Sequence, residues 1–552
     1  MTRVSLAGER IDEVADIDSV HRICQEPKRL WERLWQLGSE HMNPILVKEV
    51  RQSLKSRQFE VSFGLTLVAA IAWTFIYVTL TVPRIYYMPG GAELLSGYAI
   101  ILLVPLLIVI PFSAFRSLTA EMEEGTYELL SISSLSAKQI ITGKMATAAM
   151  QILLYVSALM PCIVLTYMLR GVSLVSIFLL LGAGVAYAVM LVSAALLLAT
   201  VSRTRAGQSG VSVLLLCVLV LSFFGSAMSI FDGAPRGMVS ASPPREVFVV
   251  IFAALTILAA AFSLLMQTAA AAIDFPSENK STPIRQRLLI LLSVLVFWLI
   301  LATFSVGDQA SSFITEVYLV AISGFFIVWM AIGGLICGER GVISPRARRT
   351  LPKTFVGRVL LTWLSPGAGL GYVFLVTVFA TVALLLSTLG HMFNVSNRTF
   401  GSAEALSVAA FALTCYLAFY VGLCRLIMLA IGRRVANPML ASFSLLIVLL
   451  LLLQLGPYFL VLYWNDFNTI AYDWHQALNI ILTIDTVASG NWSAFLGILI
   501  ALALASLAVF GLNLMLSTRD VMILRLAAPR SVQLELSTEP PAQPASTDPF
   551  LS

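Results

Sequence analysis

Glu121, Glu123 and Glu124 crowd the stretch AFRSLTAEMEEGTYELLSISSLSAKQIITGKMATA, followed by Gly125-Thr126, then Glu128-Leu129-Leu130, and at its far end Gly143-Lys144. Carboxylates beside two leucines, on a short element between two spans, can sit in a groove of a soluble partner. Thr119 is placed to cap a short helix with the glutamates near its positive end, and Ser136 to cap a second helix running through Lys144. A short acidic amphipathic element of this kind can act as a lever that passes a partner's motion to the helices on either side. The alternative is a solvated loop whose charges only keep it out of lipid.

Elsewhere the chain is poor in catalytic signals. Gly143-Lys144 is followed by Met145 and lacks the upstream glycine of a phosphate-binding loop. There is no GxSxG elbow, the six cysteines form no CxxC, and the four histidines are scattered. The reading is therefore of a non-enzyme with no metal or cofactor of its own.

The elements that must position the acidic stretch are membrane helices. The sequence is 59% hydrophobic and 12% charged, against roughly 25% charged in ordinary soluble domains, so the apolar excess must face lipid. Runs near 62–82, 97–115, 145–167, 174–200, 211–231, 247–273, 288–306, 314–337, 372–390, 405–430, 439–463 and 493–517 approach or exceed the roughly 20 residues needed to cross the hydrocarbon core. They lack strict alternation, which favours helices over barrel strands. The predicted fold class is an all-α polytopic membrane protein of about twelve transmembrane helices in two six-helix halves. Its predicted parts are a lead-in at 1–60, a first six-span unit at 61–275, a second, divergent unit at 276–520 and a disordered Pro/Ser/Thr-rich tail at 521–552.

With the N-terminus inside, only Arg84, Arg170, Arg236, Arg245 and Arg398 of the 35 Lys and Arg fall outside. That excess predicts cytoplasmic termini in an inner or plasma membrane and explains the net charge of +5 without nucleic acid. The first 60 residues are polar, so no signal peptide is predicted. Within them Leu30, Trp31, Leu34, Trp35 and Leu37 share a helical face suited to the membrane interface, with membrane lipids as partner. The span cores are read as free of Asp, Glu, Lys, Arg and His, with Arg425 snorkelling from a span end and Gln151, Gln267 and Gln454 as interhelical anchors. Clean cores argue against proton coupling.

The acidic run, Gly125-Thr126, the Glu128-Leu129-Leu130 triplet and Gly143-Lys144 resemble the coupling segment of ABC transporter permeases of the type 2 exporter class. The approach NPILVKEVRQSLKSRQF resembles that family's lead to its first span through Asn43, Pro44, Lys48, Glu49, Arg51, Gln52 and Arg57. The likeness covers roughly residues 43–275. Where the family often has proline after the leucines, this chain has Ser133-Ser134-Leu135-Ser136. The second half's equivalent loop is basic, with Arg346, Arg348, Arg349 and Lys353, and only Glu339 matches the acidic run. A short interfacial helix over Val356–Leu364 and an amphipathic stretch over Trp474–Ile484 are also expected.

The resemblance implies a permease subunit of an ATP-driven exporter. Glu121–Leu130 would contact a separate cytoplasmic ABC ATPase that carries the ATP, and Lys144 would sit at the membrane boundary. An ATP-independent secondary carrier and a non-transporting membrane scaffold are the alternatives. The transported substrate is not legible.

Overall fold

The computed structural model describes residues 44–83, 86–123, 136–201, 205–231, 244–274, 279–306, 311–339, 363–392, 403–431, 435, 437–466, 472–490 and 492–525. Among these residues there is no strand, and twelve helices are long and apolar enough to cross a membrane. The chain is an all-α polytopic membrane protein, as its composition predicts. It divides into two compact units, Met1–Asp274 and Phe275–Ser552.

In the first unit, α1 (Pro44–Leu54) leads to α2 (Arg57–Thr81), whose start is capped by Ser56 accepting from the Phe59 amide. The second span is built in three pieces: α3 (Gly91–Val104), a π-turn (Pro105–Val109) and α4 (Ile110–Glu123). Pro105 brings no amide hydrogen and crowds the preceding turn, and the chain answers with the wider register, Ile110 N–H reaching Pro105 O. Then follow α5 (Ala137–Met168), α6 (Leu174–Val201), α7 (Arg205–Phe231) and α8 (Pro244–Ile273).

The second unit holds α9 (Ser281–Val306), α10 (Ser311–Cys337), α11 (Ala368–Met392), α12 (Ala403–Ile431), α13 (Pro438–Trp464), the short α14 (Ile480–Ala488) and α15 (Leu496–Arg525). The two units pack by one scheme. In each, the second span touches the third, fourth and fifth, and the sixth lies on the third and fourth. The pairs are α3/α4 with α5, α6 and α7, and α8 with α5 and α6. Their counterparts are α10 with α11, α12 and α13, and α15 with α11 and α12. The shared rhythm of the hydropathy profile thus has a counterpart in helix packing.

Each unit has its own apolar core. Leu94, Leu106, Leu107, Leu118, Ile141 and Leu196 are fully buried in the first, and Trp329, Leu375, Phe379, Leu417 and Val421 in the second. The expected stretch over Trp474–Ile484 forms a single 3-10 turn, Trp474–Gln476, and then α14. Asn479 caps α14 through the Leu482 amide, while Tyr416 and Tyr420 donate to the carbonyls of Ala477 and Leu478 and hold it on α12.

Four expectations need correction. Thr119 caps nothing. It lies inside α4, its hydroxyl bonded back to the Phe115 and Arg116 carbonyls, because the second span's helix continues past the last apolar residue. The helices outrun the hydropathy runs, so Lys144, Arg285 and Arg425 all fall within candidate spans and all are buried. Arg425 does not snorkel: its guanidinium donates to the backbone and side-chain oxygens of Asn513 on α15. Gln151 lines a cavity, described below.

Candidate functional site

Lys144 stands in the second turn of α5 and is buried there, which is costly for an ammonium unless it is paired. That turn is set by a local signal, a capping box in which Ser136 and Gln139 bond each other's backbone amides. The cost is offset by partners from two other elements. Lys144 Nζ donates to Glu49 Oε1 on α1 at 2.8 Å, to Ser117 Oγ on α4 at 2.9 Å and to Glu121 Oε1 on α4 at 2.9 Å. An ammonium has three protons, and all three are used. The side chain of Lys144 is 2% exposed, those of Glu49 and Glu121 14% and 27%.

The junction therefore ties together the approach helix, the end of the second span and the start of the third. It also joins α4 to α5, the helices that precede and follow residues 124–135. Glu124, Gly125, Thr126, Glu128, Leu129 and Leu130 lie outside the described residues, as do Trp31 and Trp35; Glu123 is the last residue of α4. Lys48 and Arg51 are on α1, Arg51 exposed on its last turn.

Beside the junction lies a cavity of about 620 Å³. It exists because α2 is held to its neighbours unevenly. Toward its end α2 grips α3, through Trp73 Nε1 to Leu94 O, Thr74 to Tyr98 and Tyr77 to Gly90 O. Toward its start it leans on α5, where Ser62 bonds the Tyr155 hydroxyl at 2.6 Å and Phe59 and Phe63 meet the Tyr155 ring edge-on. The wedge between the start of α2 and α4 stays open. Its walls include Ser62 from α2, Ser113 and Arg116 from α4, and Thr147, Gln151 and Tyr155 from α5.

The second unit closes the equivalent junction with the opposite polarity. Arg285, near the start of α9 and 2% exposed, donates to Glu339 Oε2 just past the end of α10. It also donates to the carbonyls of Trp363, Ser365 and Gly367, which lead into α11. Ser281 completes the Glu339 carboxylate, and Thr282 donates to Leu364 O at 3.0 Å. Gly371 leaves room for the fork: a Cβ there would stand 2.1 Å from Ile336 and 2.8 Å from Arg285 Nη2. The expected basic loop and most of the helix at Val356–Leu364 fall outside the described residues; Trp363 and Leu364 are in a turn.

Sequence reading picked Glu49, Glu121, Lys144 and Glu339, but not Ser117, Arg285, or the Ser62–Tyr155 pair. Arg285 carries a weak signal, an arginine at the edge of an apolar run, which says nothing of the partners it meets. Among the described residues no cluster of His, Cys, Asp and Glu could hold a metal. No family model, curated protein or solved structure matches this chain.

Proposed function

We propose that this polytopic protein is the membrane-spanning permease subunit of an ATP-driven exporter, with both termini cytoplasmic in an inner or plasma membrane. A separate ABC ATPase would dock on the Glu121–Leu130 segment and supply the ATP; this chain would carry no cofactor or catalytic site. The main support is the three-way tie at Lys144. A push on residues 124–135 would reach α4 and α5 directly and α1 through the ion pairs, so three helices would respond as one body. The resemblance of the acidic Gly-Thr segment and the Lys and Arg excess on one side are the further supports.

The buried arginines bear on the secondary-carrier alternative. Arg285 is held by four acceptor oxygens and Arg425 by both oxygens of Asn513, an arrangement suited to bracing rather than to a site that loads and unloads an ion. In the test, the chain is affinity-purified from its native membrane with and without Glu124→Lys. The wild type is expected to bring down an ATP-hydrolysing subunit that the variant loses, with insertion unchanged. Equal recovery of that subunit with both would overturn the docking role.

A further inference from the structure

The cavity between α1, α2, α4 and α5 is about half polar in its lining, where a membrane helix bundle is ordinarily apolar. Lys144 and Glu121 stand at one end, and the lining continues along α5 through Thr147 and Gln151 to Tyr155, about 16 Å further at 1.5 Å per residue. Tyr155 lies close to the midpoint of α5. Polar side chains at such depth are costly unless they meet water, a partner or a ligand. About 620 Å³ is within the range of small-molecule sites and far more than one bridging water needs.

We infer that this wedge binds the electrically neutral headgroup of a membrane amphiphile, a zwitterionic phospholipid or a glycolipid, with its acyl chains leaving past α2 into the bilayer. The inference rests on the permease reading, for which it names a substrate class. Charge argues for neutrality. The ionisable groups of the wall are Glu49, Glu121, Lys144, Arg116 and the Tyr155 phenol; the first four sum to zero, and the three Lys144 protons are already taken. Deeper in, the lining is hydroxyl and amide: Ser62, Ser113, Thr147, Gln151 and the Tyr155 phenol. Ser62 and Tyr155 bond each other, and Ser113 and Thr147 donate to the carbonyls of Ile110 and Gly143. What they offer a polyol or a phosphate ester is therefore the remaining acceptor capacity of their oxygens, beside the donating and accepting amide of Gln151. None of these groups supplies a counter-charge for a net anion or cation. The Phe59 and Tyr155 rings add an apolar edge at which a headgroup gives way to its chains. Access is lateral, past α2, whose outer side exposes the apolar Val61, Leu65 and Val68 to the bilayer.

The test is native mass spectrometry of the full chain, without any partner, after incubation with phosphatidylcholine, a monoglycosyl diacylglycerol or phosphatidylglycerol. A one-to-one adduct is expected with at least one of the two neutral lipids, retained at least fivefold better than phosphatidylglycerol; whichever is kept identifies the headgroup. Gln151→Leu and Ser113→Leu, each checked for unchanged thermal unfolding, should lower that adduct at least fivefold, and Gln454→Leu in the second unit should not. Equal retention of all three lipids, no adduct at all, or an adduct indifferent to both cavity variants would each overturn the proposal, the second meaning that the wedge holds water alone. Because no ATPase is present, a failed Glu124→Lys docking test with intact lipid retention would remove the energy source and leave the site. Lost retention with intact docking would do the reverse.

Discussion

The two units solve one structural problem in opposite ways. Each must close a junction where the start of the unit, the end of its second span and the start of its third come together. In both an acid ends the second span, Glu121 or Glu339. In the first unit the cation comes from the third span, as Lys144, and its partners are side chains beside an open cavity. In the second the cation comes from the first span, as Arg285, and most of its partners are backbone carbonyls. An ammonium on a flexible stem can exchange carboxylate and hydroxyl partners with little reorganisation, whereas a planar guanidinium locked on three carbonyls cannot shift without unmaking a turn. The lesson is that one packing scheme supports a wet, exchangeable junction in one half and a dry brace in the other.

The largest expected effect comes from breaking the brace. Arg285→Met should destabilise the second unit by about 3–5 kcal/mol, since Glu339 and three carbonyls would lose their donor in a buried site. Denaturant unfolding in detergent, followed with a protease cutting in that half, measures it. Lys144→Met should cost less, about 2 kcal/mol, because Glu49 and Glu121 are partly exposed and can rehydrate through the cavity. If Lys144→Met proved as damaging as Arg285→Met, the contrast between wet and dry junctions would fall.

Gly371→Ala probes the brace more gently. The added methyl would press on Ile336 and the Arg285 fork, and a loss of about 1–3 kcal/mol is expected in the same unfolding assay. Smallest is Ser136→Ala, which removes half of the capping box that starts α5 and should cost about 1 kcal/mol. Hydrogen exchange should show that loss confined to the first turn of α5, with the Lys144 contacts kept.

What could be read from the sequence follows the range of each interaction. The twelve spans were legible because hydrophobic length is a property of contiguous residues, and the Ser136 cap because the amide it accepts from is three residues on; the return bond from Gln139 was not read. Thr119 misled because a threonine amid charges looks like a cap, while a helix already in progress lets its hydroxyl bond the preceding turn. Arg425 misled because its position near a span end says nothing of Asn513, far along the chain on another helix. The pairing of Lys144 with Glu49, and of Arg285 with residues 363–367, exists only once the spans have packed. The cavity was invisible for the same reason, being a gap left by how α2 leans on α5 rather than a pattern in any one helix.

Hydrogen–deuterium exchange of the full chain in lipid nanodiscs compares the two junctions most directly. Amides of 140–147, around Lys144, should exchange at least tenfold faster than those of 285–292, around Arg285, in keeping with an open wedge beside one and a carbonyl-locked fork at the other. Equal protection, or slower exchange at Lys144, would contradict the account.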